Sequence, residues 1–397
     1  MTMLMNDSTQ QAGLSKNYYL CSFVCGLYFC ATSFFLLFPK LIVALGGSEF
    51  EVGFYIGITL LPFLAMTGFV RKKIIQIGPK NTALLGLVLY TLCSSLYGVL
   101  APSTAIFYVN RLTQGVGHMV FMTGMFYIIL LSLTPEIKVK GIALFAVFLQ
   151  VGAACGIFLA DPAYSALDNI GYTAVVCTLL IIALIVGVVF LDETTPIPTL
   201  PPKHAFRWNV LRPIMPVLAL AAGLSLMFGG VIQFMPTFLQ ERSVTFGASW
   251  FIGLAFISNI IGRIYIGRLI AQKKIRVINL FVFLSALMAL QWIPVAESMS
   301  ALIITAISIG LAFGVLSPQA SGFALKRSGQ ENQILVSDQL VLVAEIGFRG
   351  AGLFLAPVIF FYDYKTMFYV IAITLALLGL VFVLDFRESK RMSPEVT

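Results

Sequence analysis

Long apolar runs are the feature of this sequence that most restricts its fold. A helix needs about 20 apolar residues to cross the hydrocarbon core of a bilayer, and runs of that length recur from residue 18 to residue 385. The runs are continuous and lack the strict alternation that marks the strands of an outer-membrane barrel. The sequence therefore predicts an all-α membrane protein.

Twelve runs are long enough to cross the membrane. They cover residues 18–39, 52–70, 81–101, 104–133, 140–162, 171–191, 213–238, 248–270, 277–296, 300–322, 334–360 and 366–385. The composition agrees, because 59% of the residues are hydrophobic and 11% are charged, whereas soluble proteins have about 25% charged residues. The net charge of +8 does not indicate nucleic-acid binding, since the basic residues fall in short loops between the runs. We expect a lipid bilayer, and no nucleic acid, as partner.

The basic residues also predict the orientation. Most of the 25 Lys and Arg residues fall in alternate loops, for example in the cluster Arg71-Lys72-Lys73. Because short basic loops stay in the cytoplasm, both termini are predicted to be cytoplasmic. The first run is followed by many others, which indicates a first membrane helix and not a cleaved signal.

The longest polar stretch divides the twelve spans into two sets of six. It contains four prolines, which favour extended backbone and prevent a helix from continuing. The predicted parts are a cytoplasmic tail at 1–17, a six-helix bundle at 18–191, a cytoplasmic linker at 192–212, a six-helix bundle at 213–386 and a cytoplasmic tail at 387–397.

Two pairs of similar peptides indicate that the two sets are repeats. Phe54-Tyr-Ile-Gly57 resembles Trp250-Phe-Ile-Gly253, and Gln150-Val-Gly152 resembles Glu345-Ile-Gly347. Each pair is separated by about 195 residues. Parallel repeats of six helices predict a pseudo-twofold axis along the membrane normal, with a site between the halves at mid-depth. The alternative is chance similarity between apolar helices.

The fourth span carries an unusual concentration of polar residues. Arg111, Gln114 and His118 are spaced to lie on one face of a helix, and Gly115 and Gly117 form a neighbouring surface that another helix can approach closely. An arginine within a span is normally turned toward a partner or a wet cavity. We interpret the face as the polar lining of a path through the membrane. The alternative is an arginine held by backbone carbonyls for structure only.

The eleventh span is the richest in charge. Asp338, Glu345 and Arg349 share one helical face, and the last two are four residues apart and can pair. A buried acid whose partner changes between two conformations can carry a proton. We predict Glu345 as the protonation site and Arg349 as its switchable partner or as a substrate anchor. The alternative is a static ion pair. Asp338, near the start of its helix, is better explained by the helix dipole.

Other polar and aromatic residues within the spans are weaker candidates. Arg263 is expected to snorkel or to pair with Asp338, Asp161 is an interfacial acid or a gate, and His118 is a proton relay or a core histidine. An amphiphilic organic substrate suits a cavity of aromatic and amide side chains. The predicted cavity residues are Tyr28, Phe29, Phe34, Arg111, Gln114, His118, Gln233, Phe234, Gln319 and Arg349.

The chain resembles the major facilitator superfamily across essentially its whole length, in span count, central loop and repeats. The peptide Arg111-Leu-Thr-Gln-Gly-Val-Gly117 is similar to the fourth-helix motif of the family's proton-coupled antiporters. The resemblance implies that Arg111 influences proton transfer near the cavity. It also implies two six-helix bundles, a monomer and a location in a bacterial inner membrane, as in sugar- and drug-efflux permeases.

Two other motifs of that family are incomplete here. In the loop after the second span, Gly78-Pro79-Lys80 remains, but Ile75 stands where the family has an aspartate. The fifth-helix antiporter motif survives as Gly152-x-x-x-Gly156 and Ala160-Asp161-Pro162. Gly152, Gly156 and Asp161 are therefore assigned to gating or structure.

We expect a secondary transporter that exports a small amphiphilic or anionic molecule, such as a drug or siderophore, in exchange for protons. Uptake by proton symport or by facilitated diffusion is the alternative, and a receptor or a lipid enzyme is a more distant one. The sequence contains no phosphate-binding loop and no metal-ligand pattern of His, Cys and acids. We therefore predict no enzymatic activity, no cofactor and no metal.

Overall fold

The computed structural model describes residues 14–101, 104–134, 137–192, 208–242, 247–271, 275–329 and 332–392. All regular structure in these ranges is helical. The helices are α1 Lys16–Ser33, α2 Phe38–Ala44, α3 Glu49–Gly57, α4 Leu60–Ala65, α5 Thr67–Leu96, α6 Ala105–Leu131, α7 Lys138–Ala166, α8 Asn169–Phe190, α9 Trp208–Leu211, α10 Met215–Glu241, α11 Ala248–Ala271, α12 Ile275–Trp292, α13 Met299–Ser328, α14 Gln333–Phe361 and α15 Tyr364–Met392.

Ten helical stretches in the described part of the chain are long and apolar enough to span a membrane. They coincide with ten of the twelve predicted runs. The second and third runs fall on α3 and α4, which are short, and on α5, which is interrupted at Gly78. The count of twelve therefore stays a prediction for these two. Most of the predicted linker, residues 193–207, lies outside the described residues.

Helix α5 connects the second run to the third, and it is broken at Gly78. Gly78 has φ 80° and ψ 161°, a backbone conformation that residues with a Cβ rarely adopt. The chain turns there, and a new helical segment begins at Pro79. Next to it, Lys80 Nζ donates to the carbonyl of Leu191 at 2.5 Å, at the end of α8. Lys80 thus caps the carbonyl end of α8.

The two halves of the chain meet mainly along two helix pairs, α3 with α14 and α7 with α11. These contacts lie toward the end of the bundle remote from the chain termini, where α2 ends and α3 begins. We call this the distal end, defined by the turn at residues 45–48. On α3, a Cβ at Gly53 would overlap the backbone of Gly352 and the side chain of Ala356 on α14.

The second crossing is related to the first by the sequence repeat. Gly57 of α3 faces Leu353 of α14, and Gly253 of α11 faces the ring of Phe158 on α7. Gly57 and Gly253 are the last residues of the two similar peptides found in the sequence. The sequence repeat therefore corresponds to two equivalent close helix crossings. Because both crossings lie at the distal end, the molecule is closed there.

Gly53→Val tests whether this close packing holds the distal end shut. The added side chain has no space, so we expect a cost of about 1–3 kcal/mol from overpacking. The thermal midpoint should fall, and amide hydrogen exchange should accelerate at the distal ends of α3 and α14. Gly322→Val on α13 is the control, because a Cβ there has no neighbour within 4 Å. Equal effects of the two substitutions would contradict the interpretation.

Candidate functional site

Arg349, at the middle of α14, is the centre of the polar site. Its Nε donates to Glu345 Oε2 at 2.5 Å, which confirms the pairing expected from their spacing. Its Nη1 donates to Thr59 Oγ1 at 3.2 Å, and its Nη2 contacts His118 Nε2 at 2.6 Å. Phe63 places its ring 5.1 Å from the guanidinium carbon. One side chain from the second half thus holds two polar partners from the first half.

The Arg349 contact fixes the proton on His118. A guanidinium only donates hydrogen bonds, so Nε2 of His118 must accept. The histidine is therefore neutral, with its proton on Nδ1, which lies 2.6 Å from the Tyr28 hydroxyl. A second proton, on Nε2, would set two donors and two positive charges against each other. Protonation of His118 is therefore incompatible with this link between the halves.

Aromatic side chains surround His118. Tyr28 is fully buried and packs against the rings of Tyr90 and Phe121, with centroids 4.9 and 4.3 Å away. Phe29 and Phe63, which are partly buried, lie 6.4 and 5.8 Å from the imidazole. Tyr28, Phe29, His118 and Arg349, which were predicted as cavity residues, are therefore neighbours. The imidazole itself is only 7% exposed.

Arg111 has only neutral partners among the described residues, all within the first half. Its Nε donates to the Tyr55 carbonyl at 3.3 Å and its Nη1 to Gln114 Oε1 at 2.6 Å. The Tyr55 ring lies 4.3 Å from the guanidinium carbon and the Phe35 ring 5.6 Å. The alternative of an arginine held by backbone therefore describes part of this arrangement, and cation–π contacts provide the rest.

Gln114 is fully buried and connects Arg111 to α5. Its Oε1 also accepts from the Tyr97 hydroxyl at 3.2 Å, and its Nε2 donates to Ser94 Oγ at 2.9 Å. The structure places Gln114 inside the first half, behind Arg111, so it does not line the seam between the halves. On α6, Arg111 and Gln114 thus form a packed polar network on the side that faces α5, and His118 links the two halves.

The two glycines of the fourth span allow the close approach that was predicted. A Cβ at Gly115 would lie 3.1 Å from Thr59 Cα, and a Cβ at Gly117 would lie 2.7 Å from the Tyr90 nitrogen. Gly115 therefore brings α6 up to the residue that receives the Arg349 hydrogen bond. Gly117 brings α6 up to the α5 backbone. Both glycines position the site without taking part in its chemistry.

Asp161 lies at the distal crossing of α7 and α11. Ser249 of α11 donates to its Oδ2 at 2.7 Å, and Lys40 Nζ is 4.0 Å from its Oδ1. Asp161 therefore connects the halves at the distal end. Gly152 and Gly156 instead pack α7 against the carbonyls of Gly26 and Cys30 on α1. These two positions serve packing within the first half.

The remaining candidates have other partners. Gln233 donates to the Phe348 carbonyl at 2.7 Å, and Phe234 is fully buried. Phe34 is buried against Tyr172. Gln319 exchanges hydrogen bonds with Asn279 of α12, at 2.5 and 2.6 Å.

Arg263 bonds to a residue of its own helix, and its pairing with Asp338 stays a prediction. Its Nε donates to Asn259 Oδ1 at 2.9 Å, and its guanidinium carbon lies 5.6 Å from the Phe313 ring. The side chain of Asp338, its predicted partner, lies outside the described part of the structure.

Sequence reasoning missed Thr59 and Phe63 in the second span and Ser249 at the start of the eighth. A single threonine, serine or phenylalanine in an apolar run carries no signal, because such residues usually serve packing. Across the described residues, no group of three or more His, Cys, Asp and Glu side chains is arranged to hold a metal ion.

Comparisons with known proteins identify the fold. The sequence profile of the Major Facilitator Superfamily matches residues 20–337. The structure resembles a mutant of the nucleoside transporter NupG, with TM-score 0.75, 11% identity, 94% of this chain covered and 100% of that chain. It also resembles a bacterial homologue of the human lysosomal transporter Spinster, with TM-score 0.70, 14% identity and coverage of 96% and 98%. At these identities the likeness concerns the fold alone. No curated protein sequence matches the chain.

Gln114→Leu tests the polar network that holds Arg111. The substitution removes the acceptor of Arg111 Nη1, and a hydrogen bond to a charged group contributes about 1.5–3 kcal/mol. We expect a clear fall in the thermal midpoint of the purified protein. Thr113→Val on the same helix is the control, because its exposed hydroxyl bonds only to the carbonyl of Val109 within α6. A midpoint unchanged in both variants would show that Arg111 does not depend on Gln114.

Proposed function

This chain belongs to the major facilitator superfamily, and from that premise we propose that it exports a small organic molecule in exchange for protons, by alternating access. The family and the fold make it a transporter and not an enzyme. The observation that carries the proposal is the position of Arg349, which holds Glu345 on its own helix and both His118 and Thr59 across the seam.

Protonation of Glu345 would change this arrangement directly. The carboxylate is the anionic partner of Arg349, and its side chain is 26% exposed, so a proton can reach it. A neutral carboxyl no longer balances the guanidinium in a medium where charge is costly. Arg349 must then pair with another anion or move. Glu345 is therefore the proton carrier of the proposal, and Arg349 is its switchable partner.

His118 provides a second point at which a proton acts. In the present arrangement the imidazole must be neutral, because its Nε2 accepts from Arg349. A proton on Nε2 would repel Arg349 and separate the two halves at mid-depth. Glu345 and His118 thus share one arginine, and protonation of either weakens the link across the seam. Arg111 contributes a fixed positive charge nearby on α6.

The packing supports a rocking motion of the halves. The halves are joined at the distal end by the glycine crossings and by Asp161 with Ser249. With the termini in the cytoplasm, the closed distal end faces the outside of the cell. Release on the other side requires the distal crossings to separate while contacts form at the opposite end. We propose a monomer in a bacterial inner membrane as the working unit.

The proposed substrate is amphiphilic or anionic, of the kind represented by drugs and siderophores. Aromatic side chains beside the polar centre, Phe29 and Phe63, suit an apolar body, and Arg349 suits a negative group. The solved relatives are described as a nucleoside transporter and as a lysosomal transporter homologue. We take from them the fold and the class of small-molecule transport.

Uptake is the second candidate function. It is favoured by the incomplete fifth-helix antiporter motif, which survives as Gly152-x-x-x-Gly156 and Ala160-Asp161-Pro162. The fourth-helix motif around Arg111 favours export. The site itself operates in either direction, because protonation of Glu345 changes the Arg349 contacts in the same way.

Glu345→Gln tests the carrier. A compound that stabilises the purified protein is first selected from organic acids and drugs by thermal shift. In everted vesicles, we expect its accumulation driven by a pH gradient to fall at least tenfold, while exchange without a gradient persists. Glu297→Gln, in an exposed loop, should behave as the wild type. Gradient-driven accumulation that is unchanged in Glu345→Gln would refute the assignment.

Whole-cell accumulation separates export from uptake. If the protein exports the selected compound, cells that express it should hold less of the compound, and an uncoupler should raise the level. Proton symport predicts the reverse for both measurements. Facilitated diffusion predicts equal levels inside and outside, with no effect of the uncoupler. Cells that express Glu345→Gln are the control for expression of the protein.

A further inference from the structure

We propose that the anionic group of the substrate binds Arg349 in the place of the Glu345 carboxylate, and that the substrate class is a carboxylate attached to a planar apolar body. This proposal rests on the second candidate function, uptake with protons, and deepens it, because it assigns the recognition chemistry to Arg349 and not to Arg111.

The partners of Arg349 leave one place for an anion. Among the described residues, Glu345 is its anionic partner, whereas Thr59 and His118 are neutral acceptors. When Glu345 takes up a proton, the guanidinium loses its counter-charge at the middle of the bundle. A carboxylate can replace the Glu345 carboxylate with the same charge-assisted hydrogen bond to Nε. The proton on Glu345 and the substrate carboxylate at Arg349 are then bound at the same time, which is the coupling that proton symport requires.

Arg111 has the opposite arrangement. Its Nε and Nη1 are taken by the Tyr55 carbonyl and Gln114, both within the first half. The rings of Tyr55 and Phe35 lie within 6 Å of its guanidinium carbon. None of these neutral partners changes its charge when a proton arrives. Arg111 is thus a structural cation, and binding at it would not be coupled to Glu345.

Access and surroundings also distinguish the Arg349 site. The side chains of Arg349 and Glu345 are 16% and 26% exposed, so the pair is not sealed within the protein. On the first-half side, Phe63 faces Arg349 at 5.1 Å, and Phe29 lies near His118. Both rings are partly buried; Phe63 lies beside the cation, and Phe29 adds a second apolar ring next to His118. A planar body next to a carboxylate fits this combination.

Binding of three matched probes to purified protein tests the proposal. The probes are 3-phenylpropanoate, 3-phenylpropanamide and 3-phenylpropylamine, which share one skeleton and differ in charge. We expect only the carboxylate to bind, with affinity at least tenfold higher in Glu345→Gln, where Arg349 lacks its own anion. Arg349→Gln combined with Glu345→Gln should abolish this binding. Arg242→Gln, which removes an exposed cation at the distal end, should leave it unchanged.

Replacement of each arginine by lysine decides between the two sites. Arg349→Lys should weaken binding of the carboxylate at least tenfold, since lysine lacks the planar fork of donors, and Arg111→Lys should change it by less than threefold. The reverse order would move the anion site to Arg111 and overturn the proposal.

Two further outcomes also overturn it. One is equal binding of the amide and the carboxylate, and the other is carboxylate binding that is no tighter in Glu345→Gln than in wild type. Failure of the proton-exchange proposal is separate, because it is measured by gradient-driven accumulation in vesicles.

Discussion

A positive charge at the middle of a membrane protein must be balanced, and Arg349 meets this requirement with groups from both halves of the chain. A charged side chain in the centre of a span costs about 2.5–3.5 kcal/mol by insertion measurements, so its partners determine where the helices can lie. Glu345 supplies the counter-charge from the same helix, and His118 and Thr59 supply acceptors across the seam. Whatever changes the charge of Glu345 or His118 therefore changes the contact between the halves.

Close helix packing gives that change a mechanical consequence. At the distal end, Gly53 and Gly253 let α3 and α11 approach α14 and α7 so closely that no additional side chain fits. Such an interface is either formed or separated, because packed surfaces do not deform continuously. The mid-depth hydrogen bond between Arg349 and His118 instead requires a neutral imidazole. In the proposed function, packing keeps the distal end closed, and protonation at mid-depth weakens the second link between the halves.

The comparisons show the fold, whereas the side chains of the site decide its chemistry. Similarity at 11–14% identity to solved transporters establishes how the helices are arranged, but cavity chemistry in such a fold comes from scattered side chains. Two arginines within the spans illustrate the difference. Arg111 belongs to the motif that marks the family resemblance and is enclosed by neutral groups. Arg349 belongs to no motif, and it carries the contacts that can respond to a proton or an anion.

The sequence by itself determined the features that depend on local spacing. Apolar length predicted the helices, the four-residue separation predicted the Glu345–Arg349 pair, and the repeated glycine peptides predicted equivalent positions in the two halves. Only the tertiary structure decided the rest. His118 and Arg349 are 231 residues apart in the chain, and Gln319 bonds to Asn279 on a neighbouring helix. Periodicity states which face of a helix a residue occupies, whereas the partner on that face depends on how separate helices pack, and a single sequence contains no local signal for that.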